Sequence, residues 1–474
     1  MSQKAIAEFE SLLGRARVLS GAGIERAYDC DAYTVDKSSP VVVVLPETTE
    51  EVSEIVKICC RNGLPFTPRG AGTGLSGGSL AAKGGVIIST KRMTKILEWS
   101  TNFRIMRAQA GAVNTNLTKA VAPEGFHFAP DPSSQSVSTL GGNIAENSGG
   151  PHTLKYGVTA AHVLKVTMVA FDGEIIEIGG LIDGAPGLDL IGLVCGSEGT
   201  LGIVTEAVVK LTPNPDAVET VLVAFPETRA ATQTVAQIIA SGITPAALEM
   251  MDRYILAAVH DAFGLDFPPG TDSLLLVECD GAPEATRLEI EKVEEICRAN
   301  GAISVERAMS EDHRKKLWTA RKKGVGAMGR IAPTLMTHDG VIPRSKLPDM
   351  LEFIYETAHG LGLTVANIFH AGDGNLHPIF CFDDREPGAI DKVVEAGEKI
   401  MRRCVELGGS VTGEHGIGVE KVDMIKLMFS PDDLRLQEMA RDIFHQSELC
   451  NPCKVIPNQK GCVEHMRRWR GAAT

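Results

Sequence analysis

Between Gly70 and Gly78 the chain sets five glycines in nine residues, Gly-Ala-Gly-Thr-Gly-Leu-Ser-Gly-Gly, directly after Pro65-Phe-Thr-Pro-Arg69. Such density argues against a packed helix or strand, because each glycine weakens regular structure. What it permits is a backbone whose N–H groups converge on an anion with no Cβ in the way, a nest for phosphate oxygens. Arg69 is expected to add a fixed positive charge at the mouth, and the stretch reads as a diphosphate-binding loop. Gly72-Thr-Gly-Leu-Ser-Gly77 also fits G-x-G-x-x-G, but a Rossmann loop must open a helix. Here the chain runs instead into Val86-Ile-Ile-Ser89, an apolar run of strand length. There is no G-x-x-x-x-G-K-[ST], so a triphosphatase P-loop is excluded.

A chain of 474 residues requires two or three domains. A formal net charge of −13 speaks against a nucleic-acid partner. No apolar run approaches the ~18–20 residues that span a bilayer. Met1 to Leu13 lacks a basic n-region and an apolar h-region, so no signal peptide is expected. The eleven cysteines, among them Cys59, Cys60, Cys279 and Cys297 in apolar elements, suit a reducing cytoplasm better than a disulfide framework.

The expected elements follow in order. Residues 5–17 read as a short helix and Val41–Leu45 as a buried strand. A helix begins after Pro46, with Thr48 and Glu51 spaced as a capping box and Val52, Ile55, Val56 and Cys59 at helical spacing. A short strand near Pro65 enters the glycine loop. A second polar glycine region spans Ala129 to Gly150 and ends at Lys155-Tyr-Gly157. Val163–Phe171, the Asp172-Gly173 turn and Glu174–Ile178 form a hairpin. A third loop, Gly196-Ser-Glu-Gly-Thr-Leu-Gly202, feeds a strand from Ile203 to Leu211. Three such loops are more than turns require and together could line a long cofactor.

The Arg69–Gly78 loop, Pro130–Ser134, Gly141–Gly150 and Gly196–Gly202 resemble the FAD-binding domain of the vanillyl-alcohol-oxidase-type flavoproteins. Glu249–Asp252, Arg321, Phe369–Pro378 and Gly413–Gly418 narrow the resemblance to the D-2-hydroxyacid dehydrogenase branch, nearest the glycolate oxidase type. It implies an α+β fold: a two-part FAD-binding domain, a ferredoxin-like antiparallel cap and a C-terminal return. It also implies that Arg69, Gly70, Ala71, Gly72, Thr73, Gly74, Gly77, Ser133, Ser134, Gly141, Gly142, Asn143, Asn147, Gly149, Gly150, Gly157, Glu198, Gly202 and Ile203 hold FAD. The first loop lacks the histidine by which some members attach FAD covalently, so noncovalent FAD is expected.

Thr212-Pro-Asn-Pro-Asp216 marks a boundary, giving domains at 1–215, 216–424 and 425–474. Beyond it strands and helices alternate, as in an antiparallel sheet with helices on one face. His370 and His377 lie in a Gly/Asp/Asn turn between two strands, and Glu414-His415 sits between Gly413 and Gly416. Two imidazoles and a carboxylate suit Zn2+ or Mn2+ with a position left open. By spacing alone they are as readily solvated loop residues, since H-x6-H is no recognised metal pattern. The resemblance implies His370, His377 and Glu414 as divalent-metal ligands and leaves His415 outside the shell. His415 is then the base for the substrate hydroxyl, and Arg321, otherwise part of the charged run Arg314–Lys323, binds the substrate carboxylate.

The reaction implied is oxidation of a small D-2-hydroxy acid, glycolate or D-lactate, to the 2-keto acid. D-2-hydroxyglutarate chemistry and a non-catalytic FAD-binding electron-transfer subunit remain alternatives. Companion flavoprotein-like and iron–sulfur subunits are implied, with any membrane association made through them. Cys450, Cys453 and Cys462 form C-x2-C-x8-C where the family usually carries Asn-Pro-Gly-Lys. Three reduced thiols are expected there rather than a metal site closed by His445 or His465.

Overall fold

The structure is a computed structural model that describes residues 3–24, 26–182, 184, 186–444 and 448–457. Two sheets make up its first half. Val18–Ser20, Val42–Val44, Val86–Ser89 and Phe66–Arg69 lie in that order, the last three mutually parallel. The second sheet is antiparallel: Ile96–Ser100, Ile105–Gln109, Ile203–Lys210, Val163–Val169 and Ile175–Gly179. Between them runs the helix Thr49–Arg61, begun by Thr48, whose Oγ1 accepts from Glu51 N (3.2 Å). Such a cap contributes about 1 kcal/mol. The reciprocal half of the box is displaced by one residue, because Glu51 accepts from Glu47 N (2.7 Å) and pairs with Arg17 (2.8 Å). Val52, Ile55, Val56 and Cys59 pack with Val42, Val86, Val169 and Ile203 in one core that joins the two sheets.

From Ala217 the chain builds a larger sheet. Ser304–Arg307, Ala217–Phe225, Ser273–Gly281 and Ala247–Asp252 lie side by side and antiparallel, the ferredoxin-like order with the helix Arg253–Phe263 inserted. Thr364–His370 pairs with Ala247–Asp252 and carries the sheet on to the short strands between Thr334 and Phe382. The expectation of helices on one face needs correcting. Thr228–Ala240, Pro283–Ala299, Leu347–Gly360 and Ala389–Glu406 cover one side, while Arg253–Phe263 and Glu311–Met328 cover the other. The central strands are buried on both faces, and a sheet so apolar must be covered twice.

Residues 424–434 still pack against the core of this second half. Beyond them the chain makes further contacts with the first half. Phe66 N donates to Leu449 O (2.8 Å) and Asn451 N to Phe66 O (2.7 Å), extending the parallel sheet by one bridge. Asn451 Nδ2 then donates to the carbonyls of Gly78 (3.0 Å) and Glu198 (2.6 Å). Cys450 is a buried thiol against Gly199 O (3.3 Å), whereas Cys453 is disulfide-bonded, contrary to the expectation of a reduced thiol. Cys462, His445 and His465 lie outside the described residues. No helix among the described residues is long and apolar enough to cross a membrane.

Candidate active site

A cavity of about 890 Å³ runs between the two halves. The first half contributes the 69–74 loop, Ser133, Ser134, Gly141, Gly142, Asn143, Glu198, Gly202 and Ile203; the second contributes Arg321, His377, Glu414 and His415. Gly72 takes a left-handed φ of 73° that admits the sharp turn of the loop. The second polar region is not all loop, for Leu140–Glu146 is a helix capped by Thr139 Oγ1 on Gly142 N (3.2 Å). A Cβ on Gly141 would stand 2.7 Å from Ala110 Cβ, so only glycine lets the helix start lie flush on that strand end.

Arg69 lines the cavity from a buried position rather than from an open mouth. Its guanidinium donates to the carbonyls of Ala27 (2.7 Å) and Cys30 (2.8 Å) and to Ser79 Oγ (3.2 Å). A cation taken out of water needs such acceptors, so its charge braces the loop from behind. Gly77, Asn147, Gly149, Gly150, Gly157 and His370 are not among the residues that line the cavity. Asn147 ends the 140–146 helix at φ 51° and accepts from Ala160 N (2.8 Å).

His370 Nε2 lies 3.0 Å and His377 Nε2 3.4 Å from the same Glu414 Oε1. The ring of His415 stacks on His377, centroids 4.8 Å apart and planes 11° from parallel. Two overlapping sets converge here, His370–His377–Glu414 and Asp339–His377–His415, each with ligand atoms within 4.8 Å of one another. Among the described residues, His377 Nε2 and His415 Nδ1 are buried with no hydrogen-bond partner. Orphaned ring nitrogens beside carboxylates are a donor set that fits a divalent ion. Burial pushes the His415 imidazolium down to about 4, outweighing the pull of Asp339, so the ring is neutral at pH 7.

Backbone donors fix this turn. Asp339, wholly buried, accepts from Thr412 Oγ1 (2.6 Å), Gly413 N (2.8 Å), Glu414 N (3.2 Å) and His415 N (3.0 Å). From the other side Glu198 accepts from Ile417 N (2.6 Å) and Gly418 N (2.7 Å), which ties the turn to the first half. Burial raises the Glu198 carboxyl to about 7. Burial and then the charge of Glu198 hold the neighbouring Glu146 well above the usual carboxylate range.

Arg321 projects from the helix Glu311–Met328, and its Nε donates to Glu249 Oε2 (2.5 Å). The other oxygen of Glu249 meets His370 Nδ1 at 2.7 Å. One buried carboxylate thus holds both the candidate carboxylate-binding arginine and a candidate metal ligand. Burial pushes Glu249 upward, but the charges and hydrogen bonds of His370 and Arg321 prevail and hold it at about 2. Sequence reading gave Glu249 no role. Its signal was an acidic residue inside the apolar run Ala247-Leu-Glu-Met-Met251. His152 was missed too: it bridges Asp131 (2.7 Å) in the first half and Glu278 (3.3 Å) in the second, stacked on Trp318 at 5.9 Å.

Two family descriptions match the chain, "FAD binding domain" over residues 40–179 and "FAD linked oxidases, C-terminal domain" over residues 214–455. This chain is a FAD-linked oxidase. Its cofactor is FAD. The glycolate oxidase subunit GlcD of Escherichia coli (strain K12) is 41% identical over 437 residues, 92% of this chain and 88% of that one. GlcD of Bacillus subtilis (strain 168) is 38% identical, covering 90% and 92%. The D-lactate dehydrogenase of Anaerostipes hadrus is 34% identical, covering 93% and 94%. Among solved structures, p-cresol methylhydroxylase with substrate bound superimposes at TM-score 0.81 with 16% identity, over 98% of this chain and 99% of that one. That likeness speaks to the fold of this FAD-linked oxidase.

Proposed function

We propose that this chain oxidises a small D-2-hydroxy acid, glycolate or D-lactate, to the 2-keto acid. The observation that carries the reading is the meeting of His377, Glu414, His415 and Arg321 on the cavity wall facing the glycine loops. FAD, when bound noncovalently along the 69–74, 133–143 and 198–203 segments, supplies the hydride acceptor. A divalent ion, Zn2+ or Mn2+, held by His370, His377 and Glu414 supplies Lewis acidity that lowers the pKa of a hydroxyl.

The side chains do the rest. Arg321 is engaged through Nε alone among the described residues, and its two terminal nitrogens can take a carboxylate with parallel hydrogen bonds. Glu249 keeps that guanidinium from swinging. His415, neutral and rigidly stacked on His377, accepts the hydroxyl proton on an imidazole nitrogen. Beside the cavity the two halves are joined where His152, Lys155 and Tyr156 meet Glu278 and Asp280. Identity to chains named as subunits supports companion subunits that take the electrons onward.

An anaerobic titration with D- and L-2-hydroxy acids, read by flavin absorbance, tests the proposal. Bleaching by glycolate or D-lactate is expected. A flavin that no 2-hydroxy acid reduces would make the chain a non-catalytic FAD carrier.

A further inference from the structure

Arg321 and the two histidines are bordered by three aliphatic side chains with no assigned role. Val325 follows Arg321 by four residues on the helix Glu311–Met328, one turn along the same face. Ile368 precedes His370 by two residues in one strand, and Ile379 follows His377 by two in the chain. In the strand Thr364–His370 the period of two brings Ile368 to the side of His370. Their strands are neighbours, with Ala366 opposite Ile379. All three side chains line the same cavity as Arg321 and His377. The helix sits directly on this patch, since a Cβ on Gly324 would come within 2.6 Å of Ile368 Cδ1. Ile368 and Ile379 are fully buried, while Val325 is 43% exposed.

We propose that Val325, Ile368 and Ile379 form the subsite for the substituent on the hydroxyl-bearing carbon, accepting hydrogen or a short alkyl group and rejecting a second carboxylate. The inference rests on the placement of the substrate carboxylate at Arg321 given above. A second carboxylate would need its own cation, and of the other cations lining the cavity Arg314, His152 and Arg69 are committed elsewhere. Arg314 is held by Glu278 (2.9 Å) and Glu311 (2.9 Å). His152 lies between Asp131 and Glu278. Arg69 is spent on backbone carbonyls. Lys322, exposed, extends over the Trp318 ring at 5.7 Å, back along the helix away from Val325. An ionised group against three aliphatic side chains would lose its water without gaining a partner.

The test is anaerobic flavin reduction by the holoenzyme with glycolate, D-lactate, D-2-hydroxybutyrate, D-2-hydroxyvalerate and D-2-hydroxyglutarate. The native chain should lose at least ~10-fold in kcat/KM from D-lactate to D-2-hydroxyglutarate. One methylene in an apolar pocket changes discrimination by roughly 10–200-fold. Ile379→Ala should therefore raise the D-2-hydroxyvalerate to D-lactate ratio by about 10-fold or more. Val325→Lys, at a partly exposed position that tolerates the change, should raise the D-2-hydroxyglutarate to D-lactate ratio. A native enzyme equally fast on the dicarboxylate, or ratios unmoved in both variants, overturns the subsite while leaving hydroxy-acid oxidation in place. A native enzyme inert toward every acid overturns the proposed activity and the subsite with it.

Discussion

Replacing Glu249 by glutamine removes one charge and changes almost no volume, so its effect isolates electrostatics from packing. Glu249 has no exposed surface, and its partners Arg321 and His370 are 6% and 3% exposed. Removing one member of a buried ion pair costs about 3–5 kcal/mol, because the remaining charge is stranded. The glutamine oxygen can still accept from Arg321 Nε, which places Glu249→Gln toward the lower end of that range. The amide NH2 then faces His370 Nδ1, where the native contact at 2.7 Å has the ring donating to a carboxylate. Donor meets donor, and the ring escapes by moving its proton to Nε2, the nitrogen 3.0 Å from Glu414. That tautomer has no lone pair on Nε2, the nitrogen turned toward Glu414. Loss of such an outer partner typically weakens metal affinity or activity by ~10–100-fold. Denaturant unfolding, elemental analysis and anaerobic flavin reduction on the same preparation measure all three consequences. A Glu249→Gln protein with native stability, metal content and reduction rate would refute the argument that this carboxylate sets both Arg321 and His370.

Arg321→Lys keeps the charge but loses the planar fork, so flavin reduction should slow by an order of magnitude or more with the FAD spectrum unchanged; unaltered kinetics would remove Arg321 from the site. His377→Ala should lose both metal and activity, whereas His415→Ala should keep the metal and lose ~10²–10⁴-fold in rate. Loss of metal in both would make His415 a ligand, as the Asp339–His377–His415 grouping allows. Acid precipitation should leave all the flavin in the supernatant, and flavin in the pellet would mean a covalent link. The bridge at His152 gives a pH signature. Burial depresses its imidazolium, but Asp131 and Glu278 prevail and raise it from 6.5 to about 10. Its contribution is therefore full below about pH 6.5 and lost as pH climbs toward 10. Burial raises Glu278, yet His152 and Arg314 hold it at about 2 against an ordinary 4.5, so that contribution fades only as pH falls below 4.5. The difference in Tm between native protein and His152→Gln should be greatest between pH 4.5 and 6.5 and gone near pH 10; a difference constant to pH 10 would contradict the bridge.

Elements with a clean period were legible in the chain. The helix Thr49–Arg61 and the hairpin Val163–Val169 with Ile175–Gly179 form where their patterns and turn residues put them. Ala247–Asp252 did not read as a strand, because it is buried on both faces and shows no alternation. Leu140–Glu146 was concealed by Gly141-Gly142-Asn143, poor helix formers outweighed by the Thr139 cap and the fit on Ala110. The pair Ile96–Ser100 and Ile105–Gln109 escaped because the first is an edge strand with mostly exposed side chains. At the site, His370, His377, Glu414 and His415 announced themselves as reactive residues among small ones. Glu249 could not be tied to them by spacing. Only the antiparallel register that sets it opposite His370, and a helix delivering Arg321 from 72 residues away, brings the three together.

The contact of Asn451 with Gly78 joins residues 373 positions apart in the chain. During synthesis at ~5–20 residues per second, about 20–75 s pass between the emergence of the glycine loop and that of the residue that pins it. Through that interval the loop has made its turn but lacks its far support, and the parallel sheet still presents the edge of Phe66–Arg69 unpaired. A fully braced flavin loop therefore exists only once residue 451 has been made, so in a cell short of riboflavin the apoprotein that accumulates should already carry the Asn451 contact.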